Sequence, residues 1–267
     1  MTIVADTKVG EVRLELSDIS VNFGGVKALQ NVSLQARAGQ VTGLIGPNGA
    51  GKSTLLAVAS GIQRPNSGIV RLEDQDVTGA RPQVYAHARM ARTFQAPQLV
   101  PDLDVRQHLV LALRSNDHKP GSALKSAFGK RITTDEFEKT EQLLAELGLA
   151  DAAANGVSEL PLGTRRLVEV AQCLACDSRT LLLDEPTAGL SRAETAVFSD
   201  LVVRVCRDRN IAVVIVEHDI DLVLDISSRV FVLDFGRLID EGDPSHIRSS
   251  KKVQAAYLGT MEADLDV

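Results

Sequence analysis

VTGLIGPNGAGKST, residues 41–54, decides the reading of this chain. A short apolar run ends in a glycine-rich turn, and LLAVASG then continues with the pattern of a helix. The spacing G-x-x-x-x-G-K-[ST] between a strand and a helix is that of a phosphate-binding loop. Gly46, Pro47, Asn48, Gly49, Ala50 and Gly51 let the backbone curl until successive N–H groups point at phosphate oxygens, and the helix N-terminus adds its positive end. Lys52 is expected to reach the β- and γ-phosphates and Ser53 to ligate Mg²⁺, with Thr54 completing the nucleotide-binding candidates. A chance glycine turn is the competing reading, and the flanking strand and helix argue against it.

A second motif supports the first. TLLLDEP, residues 180–186, is an apolar strand ending in two acids. Asp184 is expected to hold Mg²⁺, directly or through water, and Glu185 to polarise the attacking water. VIVEHD, residues 214–219, carries His218 just past another apolar run. A histidine alone is more often structural, but beside these two motifs it reads as a γ-phosphate sensor. The cofactors implied are ATP and Mg²⁺.

Composition narrows the class. The 267 residues include 29 basic and 35 acidic side chains, a net charge of −6, and aromatic residues make up only 3% with no Trp. That leaves neither a basic footprint nor a stacking platform, so no nucleic-acid partner is expected. The strong apolar runs, such as IAVVIV from Ile211, are strand-sized and far short of a membrane span. The N-terminus lacks the charged-then-apolar layout of a signal segment. The chain is therefore expected to be cytoplasmic, and any membrane role must come through a partner. Cys173 and Cys176 form a C-x-x-C pair inside a helical pattern with no second pair nearby, which reads as core packing.

Strand-like runs alternate with helical patterns: VRLEL from Val12, VTGLIG from Val41, TLLLDE from Thr180, AVVIVE from Ala212 and RVFVLD from Arg229. Apolar runs without alternation predict strands buried on both faces, hence a mainly parallel sheet covered by helices. The first forty residues and residues 67–78 read as short strands of a small antiparallel layer. Residues 97–158 read as a mainly helical insert with an exposed polar loop, SNDHKPGSALKSAFGK. The fold class is α/β.

With Gln95 in ARTFQAP, these motifs resemble, in order, those of ABC transporter ATP-binding subunits, from about Val12 to Gly259. The resemblance implies a P-loop NTPase of ABC type in one nucleotide-binding domain. Residues 1–96 and 159–259 would form its core with the antiparallel layer, residues 97–158 the helical subdomain that receives the permease, and residues 260–267 a tail. Phe23, in VNFGGVKAL, matches the aromatic that stacks on adenine, and Gln95 the glutamine that senses Mg²⁺ and links the site to the membrane partner. AGLS, residues 188–191, matches the D-loop, with Ser191 in place of the usual acid. LPLGT falls on the signature L-S-G-G-Q, which faces the γ-phosphate bound to the opposite subunit. Leu160, Pro161, Leu162, Gly163 and Thr164 would thus meet the partner's ATP. Leu160 and Gly163 are kept, whereas Pro161 replaces the serine, Leu162 the first glycine and Thr164 the glutamine. The Gly163 backbone, the helix dipole and the Thr164 hydroxyl, also an expected N-cap, remain for phosphate binding.

Finer resemblance is to branched-chain amino acid importer subunits of LivG type, carried by FGGVKAL, ARTFQ followed by LVPDLDV, the helical insert and the tail EGDPSHIRSSKKVQAAYLG. It implies an ATP-hydrolysing motor that dimerises on ATP with a second ABC subunit, identical or not. The motor would drive transmembrane permease subunits served by an extracytoplasmic solute-binding protein. Two alternatives stand beside it: a weakly hydrolysing, nucleotide-gated module of an asymmetric complex, and an export ATPase for lipid or lipopolysaccharide, whose layout is similar.

Overall fold

The computed structural model describes residues 10–115 and 131–263; the N-terminal residues 1–9, nearly all of the expected polar loop (residues 116–130) and the end of the tail lie outside them. Two compact units divide the chain. Of the described residues, the first takes 10–92, Arg179–Glu185 and 202–263; the second takes 93–115, 131–178 and Pro186–Leu201.

In the first unit, β1 (Val12–Phe23) and β2 (Val26–Arg37) make an antiparallel hairpin. β3 (Val41–Ile45) leads through the phosphate loop into α1 (Lys52–Ala59). β4 (Ser67–Leu72) and β5 (Gln75–Asp76) extend the hairpin to an antiparallel sheet of order β2-β1-β4-β5. After α2 (Pro82–His87), β6 (Met90–Arg92), β7 (Thr180–Asp184), β8 (Ala212–Val216), β9 (Arg229–Asp234) and β10 (Arg237–Gly242) join β3 in a second sheet. Its order is β10-β9-β3-β8-β7-β6, parallel throughout except for the edge strand β10.

β3, β7 and β8 are buried at every residue because both faces of the sheet are covered. Leu44, Val214, Val216 and Leu233 join Leu14, Leu29 and Leu55 in the core shared by the two sheets and α1. Ile45, Val230 and Val232 turn the other way, onto Val223 of α7 (Ile220–Ile226), Ile247 of α8 (Pro244–Ser249) and Val253 of α9 (Lys251–Ala263). The antiparallel layer matches expectation in kind, but its first two strands are long, each running twelve residues through register shifts. VRLEL lies in this layer and not in the parallel sheet.

The second unit holds α3 (Val105–Ser115), α4 (Thr134–Glu146), α5 (Leu162–Ala175) and the start of α6 (Arg192–Asp208). A boundary near residue 158 was expected, yet α5 belongs with the helices because it packs on both α3 and α4. α4 opens with a capping box: Thr133 Oγ1 accepts from the Glu136 N–H, and the Glu136 carboxylate accepts from the Thr133 N–H. Glu136 also takes the Arg114 guanidinium side-on, at 2.7 and 2.9 Å. The Arg114 hydrogen bond pulls its carboxyl down to about 2. Cys173 lies buried in α5 and Cys176 at its C-terminal end, and burial pushes both thiols up. Among the described residues no helix is long and apolar enough to cross a membrane.

Candidate nucleotide site

Strand register assembles the site in the first unit. β8 lies between β3 and β7, and its Val216 pairs with Leu44 on one side and Asp184 on the other. The C-terminal ends of the three strands therefore stand level, and the residues just beyond them, Gly46, Glu185 and His218, share one rim. A cavity of about 570 Å³ opens there. It is lined by the loop from Asn48 to Thr54, by Glu185 and His218, by Val26 and Ala28 of β2, and by Phe235 and Gly236.

Two glycines hold the loop in shape. A Cβ on Gly46 would sit 2.1 Å from the Leu233 carbonyl oxygen, and one on Gly51 2.7 Å from that of Ala28. Gly51 also caps α1 with φ 103, a left-handed conformation that side chains disfavour. Lys52 is buried, and its Nζ donates to the carbonyls of Gly46 at 2.6 Å and Pro47 at 2.9 Å. Burial lowers its pKa, while the charges of Glu185 and Asp184 pull it back up. Ser53 faces the cavity and is exposed.

Asp184, the last residue of β7, directs Oδ2 at Arg92 Nη2, 2.8 Å away, and Arg92 Nη1 in turn donates to Ser60 Oγ at 3.0 Å. Its other oxygen, Oδ1, is buried with no hydrogen-bond partner. An orphaned carboxylate oxygen and the Ser53 hydroxyl are hard donors, which suits Mg²⁺. Glu185 takes φ 49, and its N–H still donates to Val216 O at 2.9 Å, so the chain turns while the peptide stays tied to β8. The carboxylate meets His218 Nε2 at 2.8 Å.

Phe23 ends β1 half exposed and pairs across the hairpin with Val26; the cavity wall is Val26, and Phe23 is not among its lining residues. Gln95 lies in the second unit on an exposed loop, its carbonyl held by Arg166. In the signature turn, Leu160 is buried and Pro161 occupies the N-cap of α5, its carbonyl accepting from the Arg165 N–H at 3.0 Å. The expected N-cap, Thr164, is thus already inside the first turn. The backbone leaves the helix at Pro161, φ −55 and ψ 154, which makes no side-chain capping bond. Leu162, in place of a glycine, packs on the second segment of that unit: a Cβ on Gly189 would lie 3.0 Å from its Cδ2. Ser191 is held by Glu194, whose carboxylate accepts from its N–H at 2.8 Å and its hydroxyl at 2.7 Å. Sequence reasoning does not pick out Arg92, Val26 or Phe235, although Arg92 stands in ARTFQAP and Val26 in VNFGGVKAL, beside the residues that were singled out.

A glycine loop leaving a central parallel strand, an acid pair ending a strand two places away and a histidine after the strand between them define a P-loop nucleoside triphosphatase. The chain matches the ABC transporter family over residues 29–188 and belongs to it; it is an ABC-type ATPase. It is 33% identical over 249 residues to the high-affinity branched-chain amino acid transport ATP-binding protein LivG of Salmonella typhimurium, covering 92% of this chain and 97% of that protein. To BraF of Pseudomonas aeruginosa, of the same description, it is 32% identical over the same shares. The ADP conformation of MJ1267, an ATP-binding cassette of an ABC transporter, superposes with a TM-score of 0.83 at 30% identity, covering 93% of this chain and 99% of that one. ATPase subunits of such transporters work with transmembrane permease components.

Proposed function

We propose that this chain is the ATP-driven motor of a membrane importer for branched-chain or related amino acids. The relatives named for that cargo match it over nearly their whole length, which supports the cargo. The catalytic reading is carried by one observation: the Glu185 carboxylate, 2.8 Å from His218, opens onto the cavity that the phosphate loop lines.

The loop N–H groups and the α1 N-terminus hold the β- and γ-phosphates of ATP, and Lys52 exchanges its two carbonyl partners for phosphate oxygens. Ser53 and Asp184 Oδ1 would hold Mg²⁺, with Gln95 as a further ligand. Bound there, Mg²⁺ supplies charge neutralisation at the transferring phosphoryl group. Glu185 takes the proton of the attacking water, and His218 fixes the carboxylate and senses the γ-phosphate. Phe23, next to Val26 across the hairpin, stacks on adenine. Residues 160–164 offer the α5 N-terminus to the ATP of a second ABC subunit. The permease subunits hold the pair at the cytoplasmic face and receive cargo from an extracytoplasmic binding protein. In the reconstituted complex, Glu185→Gln should retain ATP binding and cut turnover and leucine uptake together, by about 10²–10⁴-fold. Retained turnover would refute the catalytic role; ATPase activity that leucine and its binding protein fail to stimulate would refute the cargo.

A second reading, an asymmetric pair of sites, is favoured by Pro161, which brings neither hydroxyl nor N–H to the turn. A lost charge-assisted hydrogen bond is worth roughly 1.5–3 kcal/mol, about one to two decades in affinity or rate. The site completed by this turn would then be the slower one.

A further inference from the structure

The loop from Thr93 to Val100 has no regular secondary structure, and most of its residues, Phe94, Gln95, Gln98 and Val100 among them, are exposed. Its backbone groups nonetheless have partners, drawn from three buried polar side chains. Arg166 Nη1 donates to Phe94 O at 2.9 Å and Nη2 to Gln95 O. Glu169 Oε1 accepts from the Gln98 N–H at 3.1 Å. His108 Nε2 accepts from the Val100 N–H at 2.9 Å, with Nδ1 on the Asp104 carbonyl. These side chains are 3%, 6% and 0% exposed. The usual order is inverted: an exposed loop is fastened by polar side chains taken out of water.

Burying an ion pair costs desolvation and is weak evidence for stability, so its geometry must say what it is for. Arg166 and Glu169, one turn apart on α5, touch only at 3.5 Å. Each instead spends its short contacts on the loop. The guanidinium fork takes two successive carbonyls, which fixes the peptide plane beside Gln95 and so the direction in which that side chain leaves the backbone. Arg166 stands four residues into the helix that Leu162 opens, about 6 Å along its axis.

The geometry points to Arg166 and Glu169 as positioning residues that lock the Gln95 loop to the signature helix, so that engaging the partner's phosphate at the α5 N-terminus also resets Gln95. This rests on reading Gln95 as the Mg²⁺ sensor and Pro161 to Thr164 as the partner-facing turn. Coupling of that kind is reciprocal between the two nucleotides and makes ATP dependence cooperative.

The test uses the assembled transporter with Arg166→Gln, Arg166→Lys and Glu169→Gln. Arg166→Gln should raise hydrogen exchange across residues 94–100 while α5 and the sheets stay protected. It should lower kcat about tenfold with KM for ATP little changed, and bring the Hill coefficient towards one. Arg166→Lys, with one ammonium for two carbonyls, should recover thermal stability but not cooperativity. If Arg166→Gln does not fold, faster exchange of the Gln98 amide in Glu169→Gln carries the same expectation. Unchanged loop exchange, or full kinetic rescue by lysine, would overturn the proposal. Gln95→Ala separates the two levels: unchanged turnover there refutes the sensor reading, whereas loop exchange in Arg166→Gln still reports the lock itself.

Discussion

Two turns in this molecule open helices that the proposed function turns towards phosphate, and they are built in opposite ways. The loop before α1 grows from a fully buried strand, and two of its glycines, Gly46 and Gly51, abut backbone carbonyls that cannot move aside. The turn before α5 follows a short 3₁₀ segment, with Pro161 exposed, and a Cβ on Gly163 would meet only the Glu194 carboxylate, 3.1 Å away at the end of a flexible side chain. The first turn is held by the fold on every side; the second is held chiefly from behind. A turn of the second kind has room for substitution, and the departures from the signature that the resemblance marks, at Pro161, Leu162 and Thr164, fall in it.

The largest expected effect asks which turn completes the working site. Glu185→Gln in this chain should slow the complex by about 10²–10⁴-fold, far more than the equivalent change in its partner subunit. Equal losses in steady-state ATPase assays would remove the asymmetry. Next come the glycines. Gly46→Ala should cost about 3 kcal/mol of stability by chemical denaturation and abolish nucleotide binding, whereas Gly163→Ala should cost under about 1 kcal/mol. Similar costs would mean that the turns are equally constrained. Pro161→Ser should then raise the rate at the partner's nucleotide by about tenfold, because it restores a hydroxyl and a backbone donor. Single-turnover measurement on that site reads the change directly.

The smallest effect is on pH. Glu136 falls from an ordinary 4.5 to about 2, so its stabilising contribution is full above 4.5 and disappears as pH drops towards 2. Solvent screening limits it to about 1 kcal/mol, and Glu136→Gln should flatten that part of an acid-unfolding curve. α4 should lose hydrogen-exchange protection over that window before β3 does.

The phosphate loop and the acid pair were legible because their chemistry is carried by consecutive residues, and the buried strands because short runs such as AVVIV, and LLL within TLLLD, are apolar without alternation. What was not legible depends on distant pairs. Arg92 and Asp184 meet only because β6 lies beside β7, and β6 is three residues long, too short to show a pattern. Val26, in β2, and Phe235, in the turn between β9 and β10, reach one cavity from segments far apart in the chain. Thr164 looked like a cap by residue type, but the cap falls where the backbone turns, three residues earlier. The Arg166 fork sits in a helix whose periodicity marks it only as a buried position.

The bonds from Lys52 to its own loop have a consequence for selectivity. Gly46 and Pro47 act as a built-in competitor for the ammonium, so any ligand must outbid two amide oxygens before it gains that contact. Neutral sugars and alcohols are weaker acceptors than an amide and leave the lysine where it is. Phosphate oxygens, carrying charge, displace both. A nucleoside without a polyphosphate tail leaves that internal pairing intact and gains nothing from the lysine, so the contact rewards charged phosphate oxygens alone.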